Sequence, residues 1–424
     1  MNVRVAEASA VRVEPVSSPL TGHARPPGSK SLTNRALPLA AMARGVSHLS
    51  GALKSDDTRY MAAALRQMGV EISEPDETGF VISGSGALKP PSEPLFLGNA
   101  GTAVRFLTAL TALVPGDVTV TGDAHMQKRP IAPLIAALQA LGVRAEAPTG
   151  CPPVKVQGSG HLPGGAVTID ANLSSQYISA ILMAAGCADA PVSVQLSGEG
   201  LDARGYVDLT LASMRAFGGE VRQTGETSWD VQPSGYRAAD VLIEPDASAA
   251  TYLWAAGQLT GGRIDIGLAP EDFSQPDARA WDIISAFPHM PDVIDGSQMQ
   301  DAIPTLAVMA AFNAKPVRFV GIHNLRVKEC DRIAALSGGL NLIRPGLAGE
   351  EGDDLIVMSD PALTGSSCTA HIPTYADHRI AMSFALAGLC MHGVTILDPG
   401  CVAKTWPGYW DTLAELGVGL HFTD

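Results

Sequence analysis

Charge is scarce in this chain. Of its 424 residues only 17% are Asp, Glu, Lys or Arg, against about a quarter in an ordinary soluble protein. The balance is acidic, with a net charge of -14. That excludes a general binder of nucleic acid or of anionic membranes, which needs a basic surface. Cysteine is sparse too. Cys151, Cys187, Cys330, Cys368, Cys390 and Cys401 form no C-x-x-C pair and have no histidine at zinc spacing, so they read as thiols of a reducing compartment. No apolar segment opens the chain as a secretory signal would, and no transit peptide is visible, which suggests a bacterial cytoplasmic protein. The stretch Ile380 to Leu397 has nearly the length of a membrane span. Ser383, His392 and two glycines interrupt it, so it reads as a buried helix and then a strand. The nucleotide loop G-x-x-x-x-G-K-[ST] is missing as well: five residues separate Gly22 from Gly28, and Ser29 stands before Lys30. The glycines from Gly158 to Gly165 read as a loop.

What is present is length and apolar content. At 424 residues and 46% hydrophobic, the chain is too long for one core and has the composition of an α/β protein in at least two domains. Six times a polar opener leads into an Ala/Leu-rich helix, at Lys30, Asn99, Ser174, Asp246, Asp301 and Asp377; the spacings are 69, 75, 72, 55 and 76 residues. Short β-branched strands follow, as in 118–121, 263–266 and 394–397. Several second helices stop at glycine: Gly69, Gly142, Gly218 and Gly417. The repeating unit is strand–helix–strand–helix with extra strands. Two groups of three predict two similar domains, a continuous one of residues 26–241 and a discontinuous one of residues 1–25 and 242–424. Two crossings at one place predict a hinge around an interdomain cleft.

The stretch from Pro27 to Arg35 places Ser29 to Ser31 at a helix N-terminus, whose unpaired N–H groups and dipole suit a phosphate or carboxylate. The neighbouring openers carry similar chemistry. Gly101 lets backbone approach a ligand, Ser174, Ser175 and Gln176 offer hydroxyls and an amide, and Pro130 after Arg129 reads as a first helical residue. Lys328 and Arg332 are expected on one helical face, with Glu329 between them. Eight cations, Lys30, Arg35, Arg105, Arg129, Lys328, Arg332, Arg379 and Lys404, fall at or near helix starts of the repeated unit. They predict a site for small polyanionic ligands.

The segments PGSKSLTNRAL, LGNAGTAVRFL, KRPI, SSQY, LRVKECDRI, DHRIAM and AKTWPGY resemble, in order, the signatures of the 5-enolpyruvylshikimate-3-phosphate synthase family (3-phosphoshikimate 1-carboxyvinyltransferase). The resemblance implies two domains of three βαβαββ-type units, an inside-out α/β barrel, closing on both substrates. It implies addition of the 5-hydroxyl of shikimate 3-phosphate to C2 of phosphoenolpyruvate and elimination of phosphate from a tetrahedral intermediate. No metal or organic cofactor is implied, and no partner beyond the two small substrates; a cytoplasmic monomer is expected. Transferred onto this sequence, Lys30, Ser31, Arg35, Ser174, Ser175, Gln176, Asp301, Asn324 and Lys328 would hold shikimate 3-phosphate. Lys30, Gly101, Arg129, Gln176, Arg332, Arg379 and Lys404 would hold phosphoenolpyruvate. Lys30, Asp301 and Glu329 are the catalytic candidates.

Three positions depart from the family pattern. Thr305 follows Ile303-Pro304, so Asp301 takes the role of the aspartate beside the acceptor hydroxyl. Ala203 replaces a serine, and the neighbouring Arg204 is assigned part of its phosphate contact. Phe106 stands where relatives carry proline, which is expected to alter the packing behind Gly101 and with it the response to glyphosate. Two other readings stay open: enolpyruvyl transfer to a UDP-sugar, and a non-catalytic anion-binding repeat protein.

Overall fold

A computed structural model describes residues 8–170, 174–197 and 203–424; residues 1–7 of the expected first lobe lie outside it. The chain divides into two compact units, one of Gly28–Glu244 and one of Met1–Pro27 with Pro245–Asp424. Each has its own core, the first drawn from residues between Ala36 and Ile243, the second from Val11 to Ala24 and Ala247 to Val418.

The opener segments become the inner helices. In the continuous unit these are Lys30–Met42, Gly101–Leu110 and Ser175–Ala185. In the other they are Ala247–Thr260, Ile303–Ala310 and His378–Cys390. All are buried on nearly every face, which is why their sequences are apolar all round. The second helices are amphipathic: Asp56–Gln67 buries Met61, Ala62 and Leu65 and leaves Arg59 and Arg66 outside.

Strands complete each repeat by one rule. The strand before the inner helix pairs in parallel with the strand after it, and an antiparallel hairpin then adds its second strand first. Leu95–Phe96, Pro115–Thr121, Val154–Ser159 and Arg144–Glu146 lie side by side in that order. So do Gly165–Asp170, Val192–Ser197, Ser228–Val231 and Val221–Gly225. In the third sheet of this unit Tyr236–Arg237 and Asp240–Leu242 return to flank Ala43–Ser50, with Phe80–Ser85 and Glu71–Ser73 beyond. The discontinuous unit repeats the order in Val293–Asp295, Val317–Val320, Asp354–Val357 and Ala348–Glu351. In Ser367–Ile372, His392–Leu397, Ala10–Val13 and Leu420–Thr423 the same layout is reached without a hairpin, because the N-terminal strand Ala10–Val13 takes the third place. Its remaining sheet has two strands, Thr21–His23 and Arg263–Asp265; no hairpin follows before Val293. That shortened repeat is the physical origin of the 55-residue spacing. None of the described sheets closes into a barrel.

Residues 380–397 form a helix and a strand, and no described helix is long and apolar enough to cross a membrane. Two local expectations are corrected. Pro130 does not begin a helix: that helix runs Ala132–Ala140, after Arg129 in extended conformation and Ile131 at φ -143. Lys328 does not share a helical face with Arg332. Asp331 caps the helix Arg332–Ile343 by accepting from Ala334 N, and capping geometry leaves the preceding residues outside the helix.

Candidate active site

In the continuous unit, Ser29 caps the helix Lys30–Met42 by accepting from Leu32 N at 3.3 Å. The capped turn buries Lys30, whose Nζ lies 4.0 Å from Asp57 Oδ2. One turn on, Arg35 is 2% exposed. Its guanidinium donates to Thr210 Oγ1 at 2.8 Å, Ser31 O at 2.8 Å and Tyr206 O at 2.9 Å, and it lies 5.3 Å from the centre of the Phe106 ring. These oxygens are all neutral. Burial pushes the Arg35 guanidinium down to about 10, so a bound anion would relieve it. Phe106 therefore backs Arg35 rather than only the Gly101 turn.

A second cluster in this unit forms around Gly101, which begins its helix. A Cβ there would stand 2.8 Å from both terminal nitrogens of Arg129, so only glycine lets the guanidinium cover the helix start. Arg129 Nη1 donates to Asn99 Oδ1 at 3.2 Å. Arg105 joins the helix to the irregular segment that carries Arg129, donating to Gly101 O at 3.2 Å and Pro130 O at 2.8 Å. Ser174 caps the next helix through Gln176 N, Ser175 is buried, and Gln176 Nε2 reaches Thr102 Oγ1 at 3.3 Å. Arg204 begins the helix Arg204–Ala216, after Ala203 at φ 55; that helix also supplies Tyr206 and Thr210 to Arg35.

The discontinuous unit assembles three cations and three carboxylates. Arg332, 1% exposed on its side chain, donates through Nε to Asp377 Oδ2 at 2.7 Å, through Nη1 to Asp301 Oδ1 at 3.2 Å and through Nη2 to Glu329 Oε2 at 2.7 Å. Arg379 Nη2 meets Asp301 Oδ2 at 2.8 Å, and Lys404 Nζ meets Glu329 Oε1 at 2.9 Å. Burial opposes the charge of Arg332, but Asp377, Glu329 and Asp301 outweigh it and hold its pKa above the ordinary value. Asp377 also caps its own helix by accepting from Arg379 N at 2.9 Å. Thr305 is turned away, bonded to Thr251 Oγ1 at 2.9 Å. Cys330 and Cys401 stay thiols, raised chiefly by burial. Asn324 is buried with an Oδ1 that finds no hydrogen-bond partner among the described residues, and Lys328 is half-buried in the irregular segment that follows the turn. Among the described residues, no group of three or more His, Cys, Asp or Glu could hold a metal ion.

Within each unit, then, the structure brings several expected residues together: Ser31 with Arg35, Gly101 with Arg129, and Asp301, Glu329, Arg332, Arg379 and Lys404 in one network. Sequence reasoning missed Asp57, Thr102 and Thr210, for which no signal existed. It names Asp377 only as the polar opener of a helix and not among the site residues, although the adjacent His378-Arg379 could have drawn attention to it.

A family model described as EPSP synthase (3-phosphoshikimate 1-carboxyvinyltransferase) matches residues 15–413. The 3-phosphoshikimate 1-carboxyvinyltransferase of Rhizobium leguminosarum bv. trifolii (strain WSM2304) is 65% identical over 410 residues, 97% of this chain and 98% of that one. The protein of the same name from Pseudomonas savastanoi pv. phaseolicola (strain 1448A / Race 6) is 64% identical over 409 residues, 96% of this chain and 98% of its own. The solved EPSP synthase of Acinetobacter baumannii superposes with a TM-score of 0.78 at 25% identity, over 98% of this chain and 100% of that chain. The enolpyruvyl transferase NikO of Streptomyces tendae, at 17% identity and a TM-score of 0.71 over 98% of each chain, shares the fold.

Proposed function

This chain belongs to the EPSP synthase family, and from that membership we propose that it transfers the enolpyruvyl group of phosphoenolpyruvate to shikimate 3-phosphate. The acceptor's 5-hydroxyl gives up its proton as its oxygen bonds to C2 of phosphoenolpyruvate, and C3 takes up a proton. The tetrahedral intermediate then loses phosphate from C2 and a proton from C3, leaving the enol ether.

One observation supports this reading above the others: Glu329 is held between Lys404 and Arg332, at 2.9 and 2.7 Å. A carboxylate flanked by cations can exchange a proton with carbon, while the cations take the phosphate and carboxylate of the substrate. Arg332, Arg379 and Lys404 hold phosphoenolpyruvate, joined by Lys30, Gly101, Arg129 and Gln176. Ser31, Arg35, Ser174, Ser175, Gln176, Asn324 and Lys328 hold shikimate 3-phosphate; the neutral surroundings of Arg35 suit its phosphate, and Arg204 adds to that contact. Asp301 polarises the 5-hydroxyl, and Lys30 assists proton transfer.

The direct test is phosphate release with both substrates and with each omitted in turn. Release only with both supports the proposal; release without shikimate 3-phosphate, or none at all, sinks it. Further parts of the same reading are a cytoplasmic monomer that uses no metal or organic cofactor. Turnover should survive a chelator, and gel filtration should give the mass of one chain, 44.0 kDa.

A further inference from the structure

Four residues lie between the 3-10 turn His323–Val327 and the helix from Arg332, in no regular element. Two of them are Lys328 and Glu329. Irregular backbone has no ladder to set its geometry, so side chains must do so. Glu329 is bonded by Arg332 and Lys404, but on the proposed function both turn to the substrate's anionic groups when it binds. An anchor that takes no part in that exchange would hold the segment throughout.

Arg326, in the 3-10 turn just before that segment, has the geometry of one. Its Nε meets Asp353 Oδ1 at 2.7 Å, one Nη meets Asp331 Oδ2 at 2.9 Å, and the other meets Glu350 Oε2 at 3.0 Å and Gly352 O at 2.6 Å. Glu350, Gly352 and Asp353 form the end of the hairpin of Ala348–Glu351 and Asp354–Val357. Asp331 is the cap from which the Arg332 helix starts. One side chain thus ties both ends of the Lys328–Glu329 segment to a rigid hairpin. None of its bonds is to a residue assigned to substrate. Arg318 grips the same hairpin from its own strand, through Glu351 at 2.8 Å and Asp354 at 2.6 Å, and among the described residues its ion pairs do not reach the segment.

We propose that Arg326 is a positioning residue that sets the place of Lys328 and Glu329 for enolpyruvyl transfer. The proposal rests on the function proposed above. A planar guanidinium can reach three carboxylates in one geometry where an ammonium cannot.

The test uses the full-length enzyme and steady-state phosphate release. Arg326→Gln should lower kcat about tenfold or more, as loss of an outer partner does elsewhere. Arg326→Lys should recover only part of it. Arg318→Gln should lower the melting temperature comparably yet keep kcat within about twofold, as surface changes away from a site do. If Arg326→Gln melts lower but keeps its kcat, Arg326 is a brace of the hairpin alone and the proposal is overturned. Should Arg326→Gln fail to fold, Glu350→Gln with Asp353→Asn removes the two hairpin charges and leaves Arg326 on Asp331 and Gly352 O; kcat should fall, and an unchanged kcat overturns the proposal. Wild-type turnover is measured first. Its absence would refute the proposed function, whereas wild-type turnover with an unaffected Arg326→Gln would refute only the role of Arg326.

Discussion

Arg35 and Arg332 are both buried cations in opposite surroundings. Arg332 is neutralised by three carboxylates, while the hydrogen-bond partners of Arg35 among the described residues are all neutral oxygens. Arg35→Met should therefore weaken binding of shikimate 3-phosphate about 10- to 100-fold, the range for losing a charge-assisted hydrogen bond. Calorimetric titration checks this, and an unchanged affinity would detach Arg35 from the ligand. The pH dependence has a definite sign. Burial lowers the Arg35 pKa to about 10, and an anion bound beside it raises the pKa again. Binding then takes up a proton near that pH, so affinity should fall as pH rises through about 10 and be insensitive to this group below about 9. Glu329→Gln keeps the shape of the carboxylate but not its proton chemistry. It should cut kcat by about 10²- to 10⁴-fold, with the KM for phosphoenolpyruvate little raised.

Among the elements, the inner helices and hairpins carry their own constraints. A Cβ at Gly84 would stand 2.2 Å from Ala43 O, and one at Gly158 would stand 2.2 Å from Val114 O. Both glycines lie where a hairpin strand crosses the end of an inner helix in its repeat. Gly84→Ala or Gly158→Ala must shift backbone, so each should lower stability by at least about 1–3 kcal/mol, the range for overpacking. Chemical denaturation reads it, and an unchanged midpoint would show that the strands can move apart. Asp377→Asn acts on two elements together. It weakens the cap of His378–Cys390 and removes the charge that meets Arg332, and breaking a buried pair costs about 3–5 kcal/mol.

For the molecule as a whole, the separate cores predict separable folding. A fragment of residues 28–244 contains three complete sheets and a core of its own, so it should melt cooperatively and give no turnover. The other unit depends on the N-terminus. Ala10–Val13 lies between His392–Leu397 and Leu420–Thr423, with Val11 and Val13 fully buried. Removing residues 1–14 from the full chain should destabilise that unit and abolish phosphate release. A truncated protein that keeps wild-type stability would contradict the sheet order.

Sequence periodicity alone determined the six-fold repeat, the α/β class and the positions of the inner helices, because a helix buried on all sides must be apolar all round and its polar opener is conspicuous. Motif residues such as Lys30, Gly101 and Arg379 were legible for the same reason, since each sits at a helix start; the role of Glu329 was legible only through the family resemblance. Tertiary structure alone decided which charges meet. Asp301, Glu329 and Asp377 converge on Arg332 from segments up to 76 residues apart in sequence, and Thr210 reaches Arg35 across 175. Partners so distant leave no periodic trace, since the chain between them can take any length that the packing of helices and sheets allows.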